Sequence, residues 1–314
     1  MFERRDGRAY NCLRHAKVSF NTFGYAAGSV LFELGNTKVL CSASMQNGVP
    51  PFLKGKKTGW LTAEYAMLPT SSTNRIVREA TLMRKNGRSV EISRLIGRSL
   101  RTIVNLDAIG ERTIYIDCDV LQADGGTRTA CITGACLALR AAQAYWLKRK
   151  FIKEIILTDH VAAISVGVIN TTGDNSNNQD NLDKSPNDSS SDNSSDNTHD
   201  VLLDLSYEED SIADADFNFV ITKSNKIVEI QGGAEKGLIT WEQFEKAKEF
   251  ACLGVSNILN IGDNLFDAVF SKKSCDYSQE TKSLENSSCD AREKSKKEHG
   301  KKNNKTPFFS LANR

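Results

Sequence analysis

The eight cysteines of this 314-residue chain include no Cys-x-x-Cys pair, the spacing that zinc sites and dithiol redox centres use. Most of the first six (Cys12, Cys41, Cys118, Cys131, Cys136 and Cys252) fall within apolar patterns, ahead of Cys275 and Cys289. They read as small buried residues of a reducing compartment. The four histidines, His15, His160, His199 and His299, form no spaced pair, which leaves zinc or histidine acid–base chemistry without support. Serine is plentiful, yet none sits in a nucleophile elbow. No Gly-x-x-x-x-Gly-Lys loop is present, which excludes P-loop nucleotide hydrolysis. No apolar run approaches the roughly 20 residues that span a bilayer, and the first 15 residues are too charged for a signal peptide. A soluble, cytoplasmic protein is expected.

The chain holds 39% hydrophobic and 25% charged residues with a net charge of +2, ordinary for a globular protein with ample core. The charge is unevenly spread, an acidic middle offsetting basic residues elsewhere. Two stretches stand apart. Residues 171–199 are almost all Asn, Asp and Ser, with nothing to bury, so a disordered surface insertion is expected. Residues 271–314 turn to Ser, Lys, Glu and Asn. They read as a disordered basic tail whose cluster at Lys294–Lys305 is either solvated or adds nonspecific RNA affinity.

Between these lies a regular pattern. A first strand is expected over Ala16–Asn21, then a hairpin of Ser29–Leu34 and Lys38–Ser44 about Gly35-Asn36-Thr37. Phe52–Lys57 is a basic loop and Trp60–Leu68 a strand ended by Pro69. Ile92, Leu95, Ile96, Ser99, Ile103 and Val104 have the three-and-four spacing of a helix face. Arg112–Val120 alternates as a half-buried strand, and Ile132, Cys136, Leu139 and Ala142 suggest a second helix, ended by Trp146–Lys153. Val161–Asn170 suits a buried strand. The pattern resumes at Val201–Tyr207, and a second hairpin joins Phe217–Thr222 to Lys226–Gln231. Thr240 and Gln243 form a capping box for a last helix, with Trp241, Phe244, Ala247, Ala251 and Val255 inward. Two hairpins, each leading to a glycine-rich turn and a helix, hint at two related halves.

The chemical content gathers at two places. Asp124-Gly125-Gly126-Thr127-Arg128 precedes the second helix. There close backbone approach, free amides and the helix dipole favour an anion, Thr127 adds a hydroxyl, and Arg128 adds a planar fork for phosphate oxygens. A plain turn with a cap would look the same. Asp204 and Asp210 stand six residues apart. Their carboxylates would converge if Asp204 ended a strand, and would then need Mg²⁺ or Mn²⁺. An acidic strand end left in water is the alternative, and Asp216 reads as a neighbour able to support a metal. Arginines, a phosphate-sized turn and paired carboxylates suit phosphoryl chemistry driven by positioning and charge.

The run from Gly59 to Gly134 resembles ribonuclease PH, most closely at RLIGRSLR (Arg94–Arg101) and IDCDVLQADGGTRTA (Ile116–Ala130). A looser likeness extends from Gly7 to about Phe270, broken by the 171–199 insertion. The resemblance implies an α+β fold of two similar halves with mixed sheets and packed helices over residues 1–270. It implies a phosphate-dependent 3′-to-5′ exoribonuclease that trims tRNA precursors and releases nucleoside diphosphates. It further implies a homohexamer, a trimer of dimers. Inorganic phosphate would bind at Arg88, Gly126, Thr127 and Arg128, with Arg94 at a further catalytic position. Asp204 and Asp210 would be catalytic and hold Mg²⁺. Arg75 and Arg78 would hold the tRNA body. Thr70 stands where the family often has an arginine. Arg98 and Arg101 are left to structure or subunit contacts. A non-catalytic RNA-binding ring subunit and a hydrolytic metal nuclease are the alternatives.

Overall fold

In a computed structural model of the chain, which describes residues 2–81, 86–170 and 199–270, the early alternation builds an antiparallel meander. Its strands are β1 (Ala16–Phe20), β2 (Gly28–Leu34) and β3 (Thr37–Asn47). β4 (Trp60–Met67) and β5 (Arg112–Gln122) complete a five-stranded sheet of order β1-β2-β3-β5-β4. β5 runs antiparallel to β3 and parallel to β4. A parallel neighbour needs a crossover, and α1 (Gly87–Arg101) supplies it, opened by Asn86 accepting the Arg88 N–H at 3.1 Å. α1 buries Ile92, Leu95, Ile96 and Leu100, the face that the periodicity marks.

α2 (Thr127–Lys148) is buried along most of its length because both halves use it. It packs on β2 and β3 of the first sheet and on β6 (Val161–Asn170) of the second. That second sheet has the order β7-β6-β8-β9, all antiparallel, with β7 (His199–Leu203), β8 (Ala215–Thr222) and β9 (Ile227–Ala234). A short helix α3 (Tyr207–Ile212) links β7 to β8, and α4 (Trp241–Phe270) follows β9. One apolar cluster runs from Val18 to Leu259. Met1–Leu265 forms one compact unit. A second begins at Phe266, and in its described part Phe266 and Phe270 stack with centroids 4.3 Å apart.

The expected α+β architecture of two halves with mixed strand directions is present. The capping box forms, with Thr240 N–H donating to Gln243 Oε1 at 2.7 Å and Gln243 N–H to Thr240 Oγ1 at 3.2 Å. α2 ends at Lys148, short of Lys153, because Lys150 turns to φ 59°. Trp241 is 82% exposed and Phe244 half-buried, so the inward face of α4 starts at Ala247. Trp241 occupies the first turn, packed edge-on against Phe244 at 6.2 Å, before the helix reaches the core. Cys12 is exposed and Cys252 half-buried, whereas Cys41, Cys118, Cys131 and Cys136 are buried thiols. His199 opens β7, and the expected insertion and tail otherwise lie outside the described residues. Among the described residues no helix is long and apolar enough to cross a membrane.

Asp263 ties α4 to the rest of its unit. It accepts from Lys223 at 2.6 Å and pairs with Arg140 of α2. Burial pushes its carboxyl up, but the Lys223 hydrogen bond and the Arg140 charge outweigh that and hold it below the ordinary value. A depressed carboxylate adds stability above its unfolded pKa and loses it as pH falls through the folded value. Asp263→Ala should therefore cost about 1–3 kcal/mol at pH 7, with a smaller difference from the parent below about pH 3. Urea melts at both pH values check this.

Candidate active site

The turn before α2 is built for close approach. Gly125 and Gly126 have φ of 72° and 63°, a region that L side chains seldom enter. Gly126 is the N-cap and makes no side-chain cap, so no side chain covers the first-turn amides. Thr37, fully buried, holds the turn from behind. Its Oγ1 donates to the Gly125 carbonyl at 2.7 Å and accepts the Asp124 N–H at 3.0 Å. Thr127 is buried, its hydroxyl 3.1 Å from Tyr65 Oη. Burial pushes the Tyr65 phenol to about 12 despite the Thr127 hydrogen bond and the nearby Arg88 and Arg128 charges, so it stays protonated at neutral pH.

Arg128 projects from the first turn of α2. Its Nη1 reaches Gln231 of β9 at 3.4 Å and Glu91 of α1 at 3.9 Å. Arg88 is exposed at the start of α1, and its charge acts on both Tyr65 and Asp210. Facing these arginines are carboxylates from the other half. Asp210 lies in α3 and Asp216 in β8. Burial of the carboxyl, then Asp216 and Glu235, raise the Asp210 pKa, against Arg128 and Arg88. Burial and Glu235 raise that of Asp216, against Arg128 and the Asn218 amide at 3.2 Å. Arginines and acids therefore share one field at the meeting of the halves.

Asp204 has a different place. It is fully buried at the end of β7 with φ 56°. Both its oxygens are taken by Arg14, with Nη2 to Oδ1 at 2.7 Å and Nε to Oδ2 at 3.0 Å. Asp204, expected to converge with Asp210, is held in this ion pair, while the carboxylates whose charges act on Asp210 are Asp216 and Glu235. Arg94 lines an open cavity of about 1000 Å³ with Glu64, Asp117 and Asp119. Arg98 pairs with Glu229 at 2.6 Å, while Arg101 caps the Leu61 carbonyl and lies over Trp60. Both are structural here. Arg75 and Arg78 are exposed between β4 and α1, as is Thr70.

Sequence reasoning passed over Arg4, Arg8, Arg14, Thr37, Tyr65, Glu209 and Glu235. Ser206 and Glu209 carried a readable signal, since Ser-x-x-Glu is a capping box. It forms at α3. The N-terminal arginines had no periodicity to mark them.

A two-sheet fold around a shared helix, with a glycine turn and arginines near carboxylates of the other half, is an arrangement that suits phosphoryl transfer. Comparison with known proteins makes this particular. Residues 12–144 match domain 1 of the 3′ exoribonuclease family and residues 159–253 match domain 2. Ribonuclease PH of Tropheryma whipplei (strain Twist) is 46% identical over 258 residues, covering 82% of this chain and 93% of that protein. Ribonuclease PH of Neisseria meningitidis serogroup B is 43% identical over 264 residues, covering 84% and 98%. The crystal structure of rice Rrp46 superposes with a TM-score of 0.60 at 17% identity, covering 83% of this chain and 98% of that one, which speaks to the fold. The chain belongs to the ribonuclease PH family of 3′ exoribonucleases. Its activity is phosphate-dependent 3′-to-5′ exoribonucleolysis.

Asp216→Asn keeps the Asn218 contact and removes one of the like charges beside Asp210. Activity should fall at least tenfold while Tm at pH 7 stays level or rises, since repulsion is relieved. Calorimetry checks the second outcome, and a fall in Tm would contradict the electrostatic account.

Proposed function

We propose that the turn at Gly126, Thr127 and Arg128, with Arg88, seats inorganic phosphate against the 3′ end of a tRNA precursor. The observation that carries this is the field of Arg128 on both Asp210 and Asp216, joined at Asp210 by that of Arg88, beside the glycine turn that opens α2. The uncapped start of α2 offers amides and a positive dipole to the dianion, and the Arg128 fork takes two oxygens. A phosphate oxygen bonds to the terminal phosphorus, and the bond from that phosphorus to the preceding 3′ oxygen breaks. The proton of hydrogen phosphate ends on that oxygen. A nucleoside diphosphate leaves, and the shortened RNA keeps a free 3′ hydroxyl. The step is reversible because the phosphoanhydride bond formed in the diphosphate conserves much of the free energy of the phosphodiester bond that breaks.

Asp210, exposed, and Asp216, half-buried, each have a raised pKa to which Glu235 contributes, Asp216 also raising that of Asp210; they fit Mg²⁺, which is commonly held by one or two carboxylates plus substrate phosphates. Asp204 does not fit, since Arg14 occupies both of its oxygens. When bound, the ion supplies charge neutralisation at the reacting phosphates. Arg75 and Arg78, both exposed, would hold the RNA body by its backbone, and the resemblance to ribonuclease PH supports a homohexamer, a trimer of dimers, in the cytoplasm.

Incubation with a tRNA carrying extra 3′ nucleotides, Mg²⁺ and phosphate should release nucleoside diphosphates, and none without phosphate. Monophosphates in both samples would mark a hydrolase, and RNA binding without release would mark an inactive subunit. Arg128→Ala should lose phosphate saturation, with phosphorolysis down at least a hundredfold and the circular dichroism unchanged. Arg75→Glu with Arg78→Glu should raise the KM for tRNA at least tenfold while the phosphate KM stays within twofold. Initial-rate kinetics on both substrates separate these outcomes.

A further inference from the structure

The chemistry above leaves the N-terminal arginines unused. The Arg14 side chain is 5% exposed and faces an Asp204 side chain of 0% exposure. Besides its two guanidinium contacts, its backbone N–H donates to Asp204 Oδ2 at 2.8 Å. Its Nη1 donates to the backbone carbonyl of Asp124, the residue that leads into the glycine turn. One guanidinium thus grips both the anion turn of the first half and the strand end from which Asp210 departs.

Those two backbones already touch. A Cβ on Gly125 would stand 2.4 Å from the Leu205 carbonyl oxygen and 2.9 Å from the Tyr207 nitrogen. Asp124 Oδ1 accepts the Tyr207 N–H at 3.2 Å. Arg4 secures the far side of the same loop, with Nε and Nη2 on Glu209 at 2.7 and 2.8 Å and Nη2 on the Asp204 carbonyl at 3.0 Å. Arg8 adds a contact to that carbonyl at 3.3 Å.

We propose that Arg14 is a positioning residue for phosphorolysis, fixing the anion turn relative to Asp210 and Asp216 by holding Asp204 and the Asp124 carbonyl together. This rests on the site reading given above. A buried ion pair is seldom more stabilising than an apolar pair of the same shape, so its use fits the fixing of geometry. Small displacements are costly in such a site, a shift of about 1 Å lowering rates on the order of a hundredfold. Lysine keeps the charge but lacks the fork that serves three acceptors at once.

The test uses the full chain as wild type, Arg14→Lys, Arg14→Met and Arg128→Ala. Binding of inorganic phosphate is measured by calorimetry without RNA. Phosphorolysis kcat and phosphate KM are measured on the extended tRNA, and folding is followed by thermal denaturation. Arg14→Lys should remain folded at 25 °C, bind phosphate at least tenfold more weakly and lose at least tenfold in kcat. Arg14→Met, which strands Asp204, should show a larger loss on both counts. A lower Tm with wild-type phosphate affinity and kcat in Arg14→Lys would make the pair merely structural and overturn the proposal. If Arg128→Ala also loses phosphate saturation in that experiment, the site reading survives and only the role of Arg14 falls. Wild-type phosphate dependence in Arg128→Ala would overturn the site reading, and with it the role of Arg14.

Discussion

A carboxylate without solvent is tolerated only when every lone pair has a partner, and Asp204 obliges the surrounding chain to meet that condition. Its left-handed φ of 56° adds strain that a non-glycine residue keeps only under tight constraint. Arg14 meets both demands, bringing the lead-in to β1 against the end of β7 across 190 residues of sequence. Arg4 and Arg8 join at the Asp204 carbonyl, so three arginines of the first fourteen residues converge on one strand end. The halves of this protein therefore meet through charge as well as through the apolar contacts of α2.

Around that fixed point the remaining charges are arranged against their own interest. Asp210, Asp216 and Glu235 repel one another, and the counter-charges named at Asp210 are Arg128 and Arg88. Neither arginine is consumed by them. Arg128 makes one long hydrogen bond and one ion contact of 3.9 Å. Separated clusters of opposite sign, each undercompensated, hold electrostatic energy that an anion on one side and a cation on the other would release. A site organised for stability alone would have closed these charges into pairs, as happens at Asp263.

Much of this was legible in the sequence. Alternation located β5 and period located α1, since burial on one face dictates both. Two turns with small polar residues located the hairpins, and Thr240 with Gln243 located the start of α4. The glycine turn, Thr127 and Arg128 stood out by chemistry alone. Trp241 went astray because apolar character at a helix start does not reveal whether the core reaches that far. The ion pair of Asp204 with Arg14 was not legible for a deeper reason. Sequence spacing shows which carboxylates are near along the chain, but which of them is neutralised depends on a guanidinium almost two hundred residues away. Asp204 and Asp216 look alike in the sequence, and it is the N-terminal arginines, Arg14 above all, that separate them.

The fold by itself is neutral about activity. Rice Rrp46 shares it at 17% identity, and two sheets about a buried helix require neither arginines at the turn nor acids beside it. What bears on activity in this chain is where its cost falls. Two consecutive residues at positive φ leave an uncapped helix start, a tyrosine hydroxyl is buried against Thr127, and Asp216 and Glu235 both act on Asp210. Each feature weakens the folded state relative to a plain alternative, such as a Ser or Asp cap at Gly126 or an Asn in place of Asp216. All of them meet at one place, on the side of α2 where the halves join. Independent destabilising choices that converge in space are what a binding site for a polyanion and its counter-ion demands of a protein that would otherwise be free to avoid them.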